Sequence, residues 1–246
     1  MIILGSGTCV PSLKRSAPAY YLEEEGRQVL IDCGGGTVLQ LEKSGRSYKD
    51  IDAVFITHSH PDHVAGIMPL IHALVATPLF KREKGLLLAG PKNLKKFYEN
   101  CIIPVTGSPK TFSIQIQEIE DKMDYPPFRI FTANTVHSEN SLAFRFECGS
   151  KSVVITGDAD YGPELVELSK KCDILIADCS FTDNMKTSGH MTPKECGLIA
   201  REAGVKKLLL SHLHSLPFPN SDRIKQCRQV FNGDVSLAED LLEFNL

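Results

Sequence analysis

Four side chains able to bind a metal fall within six consecutive positions: His58, His60, Asp62 and His63, in the run His-Ser-His-Pro-Asp-His. Alternate residues of an extended segment point the same way, so His58 and His60 can grip one cation together. Asp62 and His63 are adjacent, diverge, and can face a second cation beside the first. Paired ions activate a water and stabilise both the attacking and the leaving oxygen of a displacement, so a two-metal hydrolase is the chemistry that fits this loop best. Three of the eight histidines in the chain sit in this hexapeptide, a density that a polar surface loop does not need.

Further ligands are expected where other strands end. His137 follows Thr132-Ala133-Asn134-Thr135-Val136, Asp158 follows Val153-Val154-Ile155-Thr156-Gly157, and His212 follows Leu208-Leu209-Leu210-Ser211. A lone histidine after a strand is more often a surface residue, and an Asp after Gly more often serves a turn. Taken together they supply imidazole and carboxylate donors for two zinc-like divalent ions with a position left open for water; manganese and iron suit the same donors. A second pair lies further on. Asp178 ends Ile174-Leu175-Ile176-Ala177, and His190 precedes a helix with Thr192 as N-cap and Pro193 at its first position. A carboxylate holding one ring nitrogen leaves the other free to donate a proton to a leaving group; a capping loop with an exposed histidine is the equal alternative. His214 is read as a supporting or substrate-facing residue and His72 as structural. Gly5-Ser6-Gly7 and Gly34-Gly35-Gly36 lack the G-x-G-x-x-G spacing of a dinucleotide loop and read as tight turns near the floor of the site.

The elements that must position these residues are strand-rich at first: Ile2-Leu4, Ala19-Glu23, Gln28-Asp32 and Ala53-Thr57, with a helix over Thr37-Lys43. A helix beginning near Asp62-His63 is expected to run through Ile67, Leu70, Ile71 and Leu74. Strand Gly85-Ala89 and helix Lys92-Glu99 follow, then short β runs at Phe112-Ile116, Phe128-Thr132, Leu142-Glu147 and Ser152-Thr156. Helix Gly162-Lys170, strand Asp173-Ala177, helix Pro193-Ala203, strand Lys207-Ser211, a helix near Ser221-Phe231 and a closing strand near Leu242-Phe244 complete the pattern. Strand-rich halves with helices on one side suggest two packed sheets covered by helices.

With 246 residues, 42% apolar and 23% charged, the chain suits one globular domain over residues 1–246. A net charge of −3 lacks the strong basic field of a protein that grips long nucleic acid. The opening Met1-Ile2-Ile3-Leu4 reads as a strand without a basic leader, and no apolar run approaches the ~20 residues that span a bilayer. The scattered cysteines read as reduced thiols. The expected compartment is the cytoplasm.

The hexapeptide resembles the hallmark loop of the metallo-β-lactamase superfamily, and the ordered set of motifs resembles its ribonuclease Z-like branch. Leu4-Gly5-Ser6-Gly7-Thr8 and Leu30-Ile31-Asp32-Cys33-Gly34 match its opening strands; Phe55 through Ile67 matches its metal loop. His137-Ser138, Thr156-Gly157-Asp158, Asp178-Cys179-Ser180-Phe181, Gly189-His190-Met191-Thr192 and Leu210-Ser211-His212 match its later motifs in order. The resemblance implies an α/β fold, a four-layer αββα sandwich with metals at one edge. It assigns His58, His60 and His137 to one zinc, Asp62, His63 and His212 to the other, and Asp158 to a bridge between them. It gives Asp62 the further task of orienting or deprotonating the water, and gives His190, steadied by Asp178, assistance to the leaving oxygen. The family more often has Glu where Asp178 stands. A homodimer is also implied.

Two departures bear on substrate. Ribonuclease Z enzymes carry a long basic arm that clamps the tRNA elbow, between the motifs of His137 and Asp158. Here those residues are 21 positions apart, room for a hairpin and no arm. The stretch Leu213-His214-Ser215-Leu216-Pro217 also differs from the family, whereas Pro11-Ser12-Leu13-Lys14-Arg15-Ser16 resembles its loop near the tRNA 3′ end. The expectation is a dinuclear zinc-dependent phosphodiesterase acting on a nucleotide or RNA phosphodiester, with Lys14 and Arg15 holding a phosphate. Alternatives are a tRNA 3′-processing endoribonuclease and an ester, lactone or thioester hydrolase.

Overall fold

The computed structural model describes residues 1–215 and 220–245, and among them the strands form two sheets. The first has six strands in chain order, β1 (Ile2–Gly5), β2 (Ala19–Glu24), β3 (Arg27–Ile31), β4 (Ala53–Phe55), β5 (Leu86–Gly90) and β6 (Ile114–Glu118). The second has seven, again each beside its neighbour in sequence: β7 (Lys122–Tyr125), β8 (Phe128–Asn134), β9 (Leu142–Cys148), β10 (Lys151–Ile155), β11 (Ile174–Asp178), β12 (Lys207–Ser211) and β13 (Asp234–Leu237). Helices α1 (Thr37–Lys43), α2 (Pro61–Val64), α3 (Ile67–Ala76), α4 (Leu94–Phe97) and α5 (Ile103–Thr106) belong to the first half. Helices α6 (Pro163–Leu168), α7 (Pro193–Ala203) and α8 (Asn220–Cys227) belong to the second.

Alternation along the strands divides the apolar residues into three cores. Ile3, Val29, Ile31, Phe55 and Leu87 face Phe144, Phe146, Val153, Ile176 and Leu209 of the other sheet. Their neighbours Ile2, Leu30, Val54 and Leu88 turn outward to Leu41, Ile67, Leu70, Ile71 and Leu74 of α1 and α3. Val154, Leu175, Leu208 and Leu210 likewise meet Leu165, Ile199 and Ala200 of α6 and α7. Phe55 seals the middle layer, its ring edge-on to Phe144 at 6.0 Å and to Phe146 at 5.1 Å. Helix–sheet–sheet–helix is thus the observed architecture, the αββα sandwich expected.

Several element boundaries differ from the sequence reading. The helix expected from Asp62 through Leu74 is split at Ala65–Gly66. A Cβ on Gly66 would lie 2.3 Å from the Gly34 carbonyl, so the chain turns there under another loop. The helix expected over Lys92–Glu99 is α-helical only over Leu94–Phe97 and widens into a π turn, Tyr98–Ile102. The closing strand near Leu242–Phe244 is reduced to a bridge between Ile2 and Glu243, and the last strand of the sheet is β13. Strand β7 had no counterpart in the sequence reading. Among the described residues no helix is long and apolar enough to cross a membrane.

Strands β3 to β6 run parallel, as do β10 to β13. Parallel strands gather their carboxyl ends at one edge, the place where layered α/β folds present functional loops. Asp32, Thr57, Asp158, Asp178 and His212 all lie at or just beyond such ends.

Candidate metal centre

Each ligand candidate owes its place to a strand that stops. Beyond β4 the buried Ile56-Thr57 leads into His58 and His60, and Pro61 opens the single turn of α2 that carries Asp62 and His63. Gly34 lets this turn sit close, since a Cβ there would meet the Asp62 carbonyl at 2.2 Å. Beyond β10 the chain turns at Gly157, whose φ of 58° and 2.7 Å approach to the Thr57 side chain would strain any larger residue. Asp158 is thereby set directly against the His58–His63 loop.

The carboxylate of Asp158 faces two ways. Its Oδ2 lies 3.7 Å from His58 Nε2 and 3.5 Å from His137 Nε2. Its Oδ1 lies 3.0 Å from His63 Nε2 and 3.1 Å from His212 Nε2. On the first side His60 Nδ1 completes the group, 3.0 Å from both His58 Nε2 and His137 Nε2. On the second, Asp62 Oδ2 is 3.4 Å from His212 Nε2 and 3.7 Å from His63 Nε2. The structure therefore brings together seven residues that the sequence singled out: Asp158 groups with His58, His60 and His137, Asp62 groups with His63 and His212, and Asp158 also groups with Asp178, His190 and His212.

What holds the rings in place was not read from the sequence. His63 Nδ1 donates to Asp32 at 2.7 Å, and His137 Nδ1 donates to the Gly189 carbonyl at 2.9 Å. His212 Nδ1 donates to Ser180 Oγ at 2.8 Å, which donates in turn to Asp178 Oδ1 at 2.6 Å. His58 Nδ1 meets Thr57 Oγ1 at 3.0 Å. In all four rings the outer nitrogen is tied, so Nε2 is the nitrogen turned to the centre, the one a metal-binding imidazole would offer. Asp32 itself is fully buried at a φ of 56° and accepts from the Thr57 amide at 2.8 Å. In sequence it was only the polar end of a strand motif.

Electrostatics differ across the centre. Burial, together with the neighbouring imidazole of His63, pushes the His58 pKa down to about 2, and burial also lowers that of His137. Burial acts the same way on His63 and His212, but Asp158 overrides it, joined by Asp32 at His63 and Asp62 at His212, and both are raised. Burial disfavours the charge of Asp158, yet His212 and His63 hold its pKa well below the ordinary carboxylate value. His63 Nε2 and Asp158 Oδ1 stand 3.0 Å apart without a hydrogen bond, and neither has another partner among the described residues. A buried polar atom left so costs about 1–3 kcal/mol. A divalent cation would satisfy both atoms, and a donor set of imidazoles and carboxylates is of the type zinc favours.

His190 and Asp178 do meet: Nδ1 donates to Oδ2 at 2.8 Å, leaving Nε2 free, and the ring stacks 5.6 Å from that of His212. Burial opposes the imidazolium, Asp178 outweighs it, and the His190 pKa is raised. The loop that carries His190 is pinned by Lys186. That ammonium pairs with Asp160 and donates to Glu195 Oε2 and to the His190 carbonyl, both at 2.7 Å. Asp160 also accepts from the Gly189 amide at 3.1 Å. One network thus sets both His190 and the carbonyl that orients His137.

The substrate candidates fare differently. Lys14 is exposed. Arg15, expected to hold a phosphate with it, instead donates from Nη1 to Ser6 Oγ at 2.6 Å and to the Ala238 carbonyl, which turns it into the protein. His214 Nδ1 lies 3.1 Å from Thr8 Oγ1, its ring tilted over Phe181 at 4.7 Å, beside His190. Leu216 and Pro217 lie outside the described residues. His72 is exposed on α3. Between His137 and Asp158 stands the β9–β10 hairpin, closed by Gly149-Ser150 with Cys148 opposite Lys151.

Comparison with known proteins agrees with this geometry. The family model described as beta-lactamase superfamily domain matches residues 27–213. The chain is 31% identical to the probable metallo-hydrolase YhfI of Bacillus subtilis (strain 168), over 243 residues and 96% of each chain. It is 28% identical to ribonuclease Z of Ignicoccus hospitalis, covering 98% of this chain and 96% of that one. That alignment runs over 291 positions against the 246 residues here, so the relative has 45 or more positions without a counterpart. Among solved structures, human tRNase Z, short form, is similar with a TM-score of 0.81 at 26% identity, over 98% of this chain and 96% of that one.

Proposed function

The chain belongs to the beta-lactamase superfamily, in its metal-dependent, ribonuclease Z-like branch of hydrolases, and from that premise we propose that it is a dinuclear zinc phosphodiesterase acting on a nucleotide or RNA phosphodiester. His58, His60 and His137 would hold one ion, Asp62, His63 and His212 the other, and Asp158 both. The observation that carries the reading is the division of Asp158, with Oδ2 toward one histidine group and Oδ1 toward the other. When bound, such a pair supplies Lewis acidity to a phosphoryl oxygen and lowers the pKa of water.

The chain's own residues supply the rest. Asp62, partly open to solvent at the centre, orients the attacking water and accepts its proton. His190, as the imidazolium that Asp178 favours, donates the proton on Nε2 to the leaving oxygen and keeps its Nδ1–H on Asp178. Phe181 lies edge-on to the His190 ring at 6.1 Å and packs against His214 at 4.7 Å.

A tRNA 3′-processing endonuclease is the second reading, favoured by the similarity to ribonuclease Z. The short β9–β10 hairpin and the net charge of −3 argue for a smaller substrate. Zinc-reconstituted protein should be given bis-p-nitrophenyl phosphate, a precursor tRNA with a 3′ trailer, and a lactone, each with and without chelator. Chelator-sensitive turnover of the phosphodiester is the expected result. Rapid lactone turnover with the phosphodiester untouched would sink the proposal, and trailer removal at low enzyme concentration would select the second reading.

A further inference from the structure

A cavity of ≈ 230 Å³ opens beside the metal centre on the side of His58 and His60. Its floor is apolar: Ile56 and Leu94 are buried there, and Phe97 supplies an aromatic ring. It is also lined by Asn93 and Asn140, which carry side-chain amides, by the exposed ammonium of Lys92 and by the exposed carboxylate of Glu139. Pockets that enclose a whole small ligand measure about 300–1,000 Å³, so this one has room for one ring-sized part of a larger molecule. The rest of that molecule would lie over the histidines that wall the cavity.

The backbone here is specially shaped. Asn93 takes a left-handed φ of 73°, and the helix it starts runs for one turn before widening at Tyr98–Ile102. Asn is one of the few residues that adopts this region cheaply, and π turns recur at functional sites. At the end of β5, Gly90 approaches the Ile56 carbonyl so closely that a Cβ would lie 2.7 Å from it. That approach sets the Lys92–Phe97 segment against the His58–His60 loop.

We propose that this cavity is a base-binding subsite, so that the substrate is a nucleotide phosphodiester whose heterocycle enters the cavity while its phosphate lies at the metal centre. The inference rests on the phosphodiesterase reading for the phosphate and adds where the base goes. Phe97 offers a stacking face, worth about tenfold or more in affinity per base. The two amides each offer a donor and an acceptor to a heterocycle edge. Lys92 lies at the mouth, where the charge of the sugar–phosphate leaves the cavity.

The test is calorimetric and needs no turnover. Zinc-reconstituted full-length protein is titrated with adenosine 5′-monophosphate, ribose 5-phosphate and inorganic phosphate. Adenosine 5′-monophosphate should bind about tenfold or more tightly than ribose 5-phosphate. Phe97→Ala should bring the two within about threefold and leave ribose 5-phosphate unchanged, and Asn140→Ala, a milder rim change, should narrow the gap in part. Equal binding of the two esters by the unaltered protein, or no binding of adenosine 5′-monophosphate, overturns the subsite. A preference that survives in both variants overturns its location. Turnover of bis-p-nitrophenyl phosphate without base preference overturns the subsite alone, whereas base preference lost in Phe97→Ala with no diesterase activity overturns the phosphodiesterase reading alone.

Discussion

The two ends of β4 bury ionisable groups in opposite ways. Before Ala53, the Asp52 carboxylate is almost fully covered and fully engaged. It accepts from the Gln28 amide at 2.9 Å and from Arg27 at 3.1 Å, and pairs with Lys84. Burial works against its charge, yet the Gln28 amide and then Lys84 and Arg27 hold its pKa below the ordinary value of 3.8. Past Phe55, the same strand delivers His58 and His63 to Asp158, where His63 Nε2 and Asp158 Oδ1 find no hydrogen-bond partner among the described residues. One end is closed by the chain itself and serves the scaffold. The other is held open by its surroundings, with each ring fixed from behind and its inner nitrogen left for something the chain does not supply.

The sharpest way to break this contrast is Asp62→Ala, which should lower kcat on bis-p-nitrophenyl phosphate by about 10³-fold or more with the circular dichroism spectrum unchanged. Activity within tenfold of the parent would remove Asp62 from the chemistry. Metal removal comes next. An ion at about 100 times its Kd stabilises by about 2.7 kcal/mol, so chelation should lower Tm by roughly 5–10 °C for a chain of this size. An unchanged calorimetric Tm would mean that the open end binds nothing tightly. Asp32→Asn weakens the support behind His63 and should reduce zinc affinity about 10–100-fold in a competition titration. Asp52→Asn should leave that titration where it was, and a loss there would erase the distinction between the two ends.

The smallest effect is on stability. With Arg27 and Lys84 about half exposed, their attraction for Asp52 is screened, and Asp52→Asn should cost about 1 kcal/mol at neutral pH. Because the folded-state pKa is depressed, this contribution is present above 3.8 and disappears as the pH falls through the lower folded value. Urea unfolding of parent and variant should therefore converge in strong acid.

The candidate ligands were legible because chemistry resides in residue type: His58, His60, Asp62, His63, His137, Asp158 and His212 are conspicuous wherever strands end. The supports behind them were not. Asp32 does its work from a left-handed backbone, and Ser180 and Gly189 act through one hydroxyl and one carbonyl, groups found all along any chain. The inward turn of Arg15 was hidden for a related reason, since a guanidinium in a basic loop reads the same whether it faces solvent or the Ala238 carbonyl. The break between α2 and α3 depends on Gly34 and Gly66 approaching from distant positions. Edge strands β7 and β13 carry too little buried surface to announce themselves by alternation.

The turn Gly149-Ser150, which closes the β9–β10 hairpin, is exposed, and a side chain at Gly149 would touch nothing within 4 Å. Chain length is nearly free at such a tip, since doubling a loop costs only about 0.6 kcal/mol. Residues gained or lost there leave the pairing of Lys151 with Cys148, and the Asp158 beyond it, undisturbed. The hairpin is therefore a place where the chain can lengthen or shorten without redrawing the edge that gathers the histidines and carboxylates.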